Sequence, residues 1–250
     1  MELIDIEFQS YEKSVPQLLD LIQAKERFKK QKTLLLKPNL VNASPFPVTT
    51  SPEFCRAVIL YAKKYSDARI IIAEGCGDNV MDTDQVFKVL GYQNLADELN
   101  VELMDLNHAR LVRLENKQNT IFKEIFLPEI AFESYVVSLP VLKAHSLAEI
   151  TGTLKNMMGF APPEHYSKGG WKKSFFHARM HESIRELNSY ILPDMTLMDA
   201  SAGLCQYHLG GPTCNPLVNR LMAGYDAYEI DRAAADYLGL DPDGIPHLYP

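Results

Sequence analysis

Six polar residues stand where short apolar runs end. Lys37 and Asn39 follow "TLLL", Glu74 follows "ARIIIA", Lys143 and His145 follow "YVVSLPVL", and Asp199 follows "MTLM". A cluster of lysines with an asparagine and a histidine suits a carboxylate or phosphate ligand, because each supplies hydrogen-bond donors and the lysines add charge. Glu74 and Asp199 then serve as counter-charges or as groups that orient a proton carrier. A second basic site lies in "TGTLKNMMG", where Lys155 and Asn156 sit among apolar residues. On a helix Thr151 and Lys155 share a face, four residues apart, and Lys155 can turn toward Lys143. The segment lacks the order of a P-loop. His177 and His181 have the i, i+4 spacing of a helical metal pair, but Ala178 stands where the zinc-protease signature needs glutamate. No tightly bound metal is therefore expected, and a metal-binding protein built on this pair is a rival reading.

The elements that must hold these residues alternate. "TLLLKPNLV" reads as a strand, and "SPEFCRAVILYAKKY" as a helix capped by Ser51 with Pro52 at its first position. "ARIIIAEG" is a buried strand. Residues 82–100 form one helix interrupted at Gly91 or two short ones, and "VELMDL" is the next strand. This order predicts an α/β fold, a mostly parallel sheet flanked by helices, whose strand C-terminal ends lie on one edge. "RLVRLE" and "TIFKEIFL" flank the turn-rich "NKQN" and predict an inserted β-hairpin. Residues 147–158 are expected to be helical, as is the amphipathic run "FFHARMHESIRELNSYI". Between them lies the polar loop "APPEHYSKGGWKKS" with Trp171, the only tryptophan. "MTLMDASAG" is a strand ending at Asp199, and a last strand and helix follow, the helix entered through Asp226 as N-cap. The glycine turn after Glu74 does not complete a dinucleotide fingerprint. "LGGPTCNP" reads as a turn that could offer backbone N–H groups to an anion.

The whole-chain numbers set bounds. The 250 residues, 46% hydrophobic and 23% charged, suffice for a full core, and no linker interrupts them, so one domain over residues 1–250 is expected. A net charge of −7 argues against nucleic acid as a partner, while leaving room for a local basic pocket. No apolar stretch is long enough for a membrane span, and the N-terminal residues do not resemble a signal peptide. Cys55, Cys76, Cys205 and Cys214 form no C-x-x-C pair, and the nine-residue spacing of the last two fits no common metal site. They read as small buried hydrophobes with reduced thiols in a cytoplasmic protein.

Taken in order, "LLLKPNLV", "IIIAEG", "VVSLPVLKAH", "TGTLKNMMG", "MDASAG", "GGPTCNP" and "AGYDAYEIDRAAADYLG" resemble the domain of unknown function 362 family, over nearly the whole chain. The resemblance marks Lys37, Asn39, Glu74, Lys143, His145, Lys155, Asn156 and Asp199 as site residues without assigning roles. Some members carry a ferredoxin-type iron–sulfur module; this chain has no cysteine run for a cluster. The expected function is to bind, and as an enzyme to transform, a small anionic metabolite. In that chemistry His145 or His177 moves protons and Glu74 or Asp199 orients them, while Lys37, Asn39, Lys143, Lys155 and Asn156 hold the ligand. The rival from another class is a non-catalytic module that docks an iron–sulfur protein. Substrate, cofactor and catalysis itself are left open by the sequence.

Overall fold

The structure, a computed structural model, describes residues 3–167 and 169–250. Its first half runs β1 (Ile4–Glu7), α1 (Tyr11–Leu21), α2 (Ala24–Phe28), β2 (Thr33–Pro38), α3 (Pro52–Tyr65), β3 (Arg69–Glu74), α4 (Thr83–Val89), α5 (Tyr92–Leu99) and β4 (Glu102–Asp105). The inserted pair β5 (Leu111–Glu115) and β6 (Glu124–Pro128) follows, then α6 (Ile130–Glu133), β7 (Tyr135–Leu139), β8 (Val141–His145), β9 (Glu149–Thr151), α7 (Thr153–Asn156) and α8 (Pro163–Tyr166). The chain closes with α9 (Met180–Asn188), β10 (Met195–Leu204), β11 (Arg220–Gly224) and α10 (Ala227–Tyr237).

One mixed sheet has the order β1-β11-β10-β7-β2-β3-β4, with β8 joined to β10 and β9 joined to β8. The central pairings are parallel, as the strand–helix alternation predicts, and β1, β11 and β9 add antiparallel edges. The β5–β6 pair is antiparallel and separate from the large sheet, which is the inserted hairpin expected from "NKQN". Side chains alternate across the sheet and divide the core into two layers. Leu34, Leu36, Val137 and Leu197 face α1, α3 and α5, while Leu35, Val136 and Met198 face α7, α9 and α10. Local signals hold where the chemistry is local. Ser51 Oγ accepts from Glu53 N at 3.1 Å to cap α3, and Asp226 accepts from Tyr228 N and Glu229 N to cap α10.

The feature that makes room for a site is the break at Pro140. Before it, β7 pairs with β2 as far as Pro38↔Leu139. After it, β8 leaves β2, stays with β10 and pairs with β9 instead. A gap opens between the end of β2 and β8, on the edge where the parallel strands end.

Three expectations change. Residues 147–158 are not a helix: β9 pairs with β8, and only α7 and a following 3₁₀ turn (Met157–Phe160) are helical. The run from Phe175 breaks into a 3₁₀ segment (Ser174–Arg179) and α9, with Arg179 outside helical geometry between them. Cys205 and Cys214 form a disulfide with Cα atoms 5.0 Å apart, so these two are not reduced; Cys55 and Cys76 remain free and buried. Among the described residues no helix is long and apolar enough to cross a membrane.

Candidate functional site

The gap at Pro140 is a cavity of about 420 Å³. From below it is closed by a buried ion pair. Lys37, the last inward side chain of β2, donates from Nζ to Glu74 Oε2 at 2.7 Å, to Pro38 O and to Asn156 Oδ1. Glu74 also accepts from Leu40 N and Gly75 N. Burial pushes the Lys37 ammonium down, and the Glu74 carboxylate pulls it back up. Gly159 lies against this pair: a Cβ there would collide with Glu74 Oε1 and Lys37 Nζ. That close approach requires glycine.

Above the pair, Asn156 ties the strand ends together. Its Nδ2 donates to Lys37 O and Ser138 Oγ, and its Oδ1 also accepts from Asn39 Nδ2. Lys143 enters from β8, and its Nζ donates to Asn39 Oδ1 and Val48 O. Burial and the nearby Lys155 ammonium lower it to about 7. Lys155 comes from α7 and is lowered to about 8 by burial. Its ammonium has no hydrogen-bond or ion-pair partner among the described residues, and the charged groups it acts on, Lys143 and His145 among them, are cationic or become so on protonation.

Two cavity histidines have tautomers fixed by their partners. His145 Nδ1 accepts from Leu147 N (3.0 Å) and Ala148 N, so the ring proton sits on Nε2. Burial, with Lys155 and His208 adding to it, holds His145 neutral far below its ordinary range. His145 is thereby a hydrogen-bond donor. His177 Nδ1 lies 3.2 Å from Lys173 O, an acceptor, so Nδ1 carries the proton and Nε2 keeps a lone pair. Burial and Lys155 lower it too. One ring can donate to a ligand and the other can accept from it.

Of the nine sequence-predicted residues, seven line the cavity: Asn39, Glu74, Lys143, His145, Lys155, Asn156 and His177. Lys37 lies directly beneath them. Asp199 does not join them. It is not at a strand end, since β10 continues to Leu204, and it lies two residues after Leu197 on the α1 side of the sheet. There it accepts from Tyr11 OH at 2.6 Å and from Ser201 N. Lys37, two residues after Leu35, is on the opposite face. His177 and His181 also part company, because the chain between them is not one helix. His181 Nδ1 is 2.9 Å from His247 Nδ1, and its Nε2 is 3.0 Å from Glu149. Among the described residues no group of three or more His, Cys, Asp or Glu could hold a metal ion.

Several lining residues escaped the sequence. Lys173 donates to Gly75 O, Met158 O and Gly159 O, and burial lowers it to about 7. Lys172 reaches Met81 O at 2.8 Å. The basic pair behind the glycines of "GGWKKS" was the available signal. His208 stacks on His145 with ring centres 3.9 Å apart, and burial with Lys155 lowers it to about 3. It is brought there by the loop that the Cys205–Cys214 bond closes, and nothing in its sequence context announces this.

A family model for a domain of unknown function, DUF362, matches residues 34–236. The chain belongs to the DUF362 family. No curated protein matches it. Among solved structures it is similar to the lactate racemase apoprotein from Thermoanaerobacterium thermosaccharolyticum, with a TM-score of 0.57 and 13% identity over 94% of this chain and 56% of that one. A crystal structure of a protein from Thermotoga maritima gives a TM-score of 0.54 and 13% identity over 95% and 61%. At these identities the likeness carries the α/β fold alone, and this DUF362 chain spans only 56% and 61% of the lengths of those two proteins.

Proposed function

We propose that this protein binds a small carboxylate or phosphate metabolite in the cavity at Pro140. One observation carries the reading. Lys143, Lys155, Lys172 and Lys173 line the cavity with His145, His177 and His208, while Glu74, its single lining carboxylate among the described residues, is engaged by Lys37. Cations gathered in a partly desolvated space repel one another and favour an anion between them. Lys143 and Lys155 are the ligand's ion-pair partners in this reading, with Asn39 and Asn156 setting their positions. His145 offers a proton donor beside the ligand and His177 an acceptor, the pair that a proton-transfer reaction needs. The lactate racemase named above acts on a small carboxylate, which agrees with the reading without carrying it. The cytoplasmic location expected from the sequence rested in part on reduced thiols, and the Cys205–Cys214 bond removes that part of its support.

Thermal unfolding with and without phosphate, lactate and other small anions tests the site. A ligand at a hundred times its dissociation constant should add about 2.7 kcal/mol of stability. Lys155→Met keeps the stem and removes the charge. It should weaken binding about ten- to hundred-fold, as the loss of one charge-assisted contact of roughly 1.5–3 kcal/mol requires. The empty variant should be as stable as the parent or more so. An equal response to anions in Lys143→Met/Lys155→Met and parent would put the anion elsewhere and end the proposal.

A further inference from the structure

The lysines of the cavity are not equivalent. Lys143 and Lys173 have their ammonium hydrogens directed at oxygens: Asn39 Oδ1 and Val48 O for the first, three backbone carbonyls for the second. Lys172 is held by Met81 O. Those acceptors hold the three amines in place and turn them away from a ligand's carbon. Lys155 lines the same cavity without any such acceptor among the described residues. It is carried by α7, whose first two amides donate to the buried carboxylate Asp231 at 2.6 and 2.8 Å, so its backbone is fixed while its amine is free.

We propose that Lys155 is a nucleophilic amine that condenses with the carbonyl of a small 2-oxo acid or aldehyde acid, forming an imine. This rests on the anion-site reading and assigns the lysines separate tasks: Lys143 binds the carboxylate and Lys155 attacks the adjacent carbonyl carbon. The Nζ lone pair forms the C–N bond as the C=O π bond opens. The oxygen takes up both amine hydrogens and leaves as water while the C=N bond forms, so the step needs no oxidant or reductant. His145 Nε2–H can donate to the carbonyl oxygen, and His177 Nε2 can take the proton that nitrogen sheds. A lysine made reactive by desolvation is a known route to such chemistry. Its value near 8 agrees, leaving on the order of 100-fold more free amine near neutrality than an exposed lysine has.

The probe is glyoxylate, followed by sodium borohydride and peptide mapping by mass spectrometry of the intact protein. The expected result is one reduced adduct per chain, on Lys155, at least about ten-fold above that on any exposed lysine. Lys155→Arg keeps a charge but cannot form the imine. It should lose the adduct while lactate and phosphate still raise its unfolding temperature. Adducts confined to exposed lysines, or placed on Lys143 or Lys173, overturn the assignment. If lactate and phosphate nevertheless stabilise the parent, the anion site survives that result. If they do not, both readings fall together.

Discussion

Lys37 and Glu74 meet at the floor of the cavity with both side chains buried, and each is what makes the other tolerable there. Removing one charge strands its partner. Glu74→Gln should therefore destabilise the protein by about 3–5 kcal/mol in chemical denaturation. Adding Lys37→Met should recover most of the loss, since a neutral pair needs no counter-charge. A double variant no more stable than Glu74→Gln alone would count against a simple ion pair. At this scale the sequence was readable where a polar residue ended an apolar run. Lys37, Asn39, Glu74, Lys143 and His145 meet at one place because parallel strands end on one edge. Asp199 follows an apolar run in the same way, yet its strand continues and its position in the two-residue alternation sends it to the other face. A strand's length and parity in the sheet cannot be read from the run itself.

The element that presents Lys155 is one turn long, too short to be stable alone. It is held from outside: Asp231 of α10 accepts from Thr153 N and Leu154 N, and Asn188 of α9 donates to Leu154 O at 2.9 Å. Burial raises the Asp231 carboxyl to about 6, and the two amides only partly oppose this. The folded state thus binds its proton more tightly than the unfolded chain does. The stabilisation is complete below about 4, is lost as pH rises through about 6, and is on the order of 3 kcal/mol. Asp231→Asn cannot titrate. The stability difference between parent and variant should vary between pH 4 and 6 and be constant above, as read from denaturation midpoints; a flat difference throughout would refute the assignment. The sequence of residues 147–158 predicts a helix. β9 forms there because β8 offers it an edge, and that pairing is decided by the Pro140 break, far from anything the segment's own periodicity encodes.

For the molecule as a whole, an acidic chain encloses a basic interior. Net charge is a sum over every ionisable residue of the chain, so a value of −7 is compatible with a local lysine cluster. The disulfide was hidden similarly: its nine-residue spacing has no signature, and the cysteines approach because β10 overruns and Thr213 bridges back to Leu204. The cluster has a pH consequence. Lys143 and Lys173 at about 7 and Lys155 at about 8 lie below their ordinary 10.5, so between these values the unfolded chain binds more protons than the folded one. Stability of the empty protein from this source must rise with pH from about 7 toward 10 and fall as pH drops through 7. Unfolding temperatures in an anion-poor buffer should climb over that window, and saturating lactate should flatten the climb by restoring the lysines' charge. A decline with alkalinity in the empty protein would show that the cluster does not titrate as described.

The loop that brings Lys172 and Lys173 to the cavity also brings Trp171, half-exposed at its rim, with its ring 5.3 Å from that of His177. Because the chain has one tryptophan, its emission comes from the mouth of the site and from nowhere else. The molecule carries its own optical gauge. Entry of a ligand that expels water from the indole shifts the emission to the blue, and a proton arriving on the neighbouring imidazole dims it. Occupancy and ionisation can thus be followed separately, in real time and without a label.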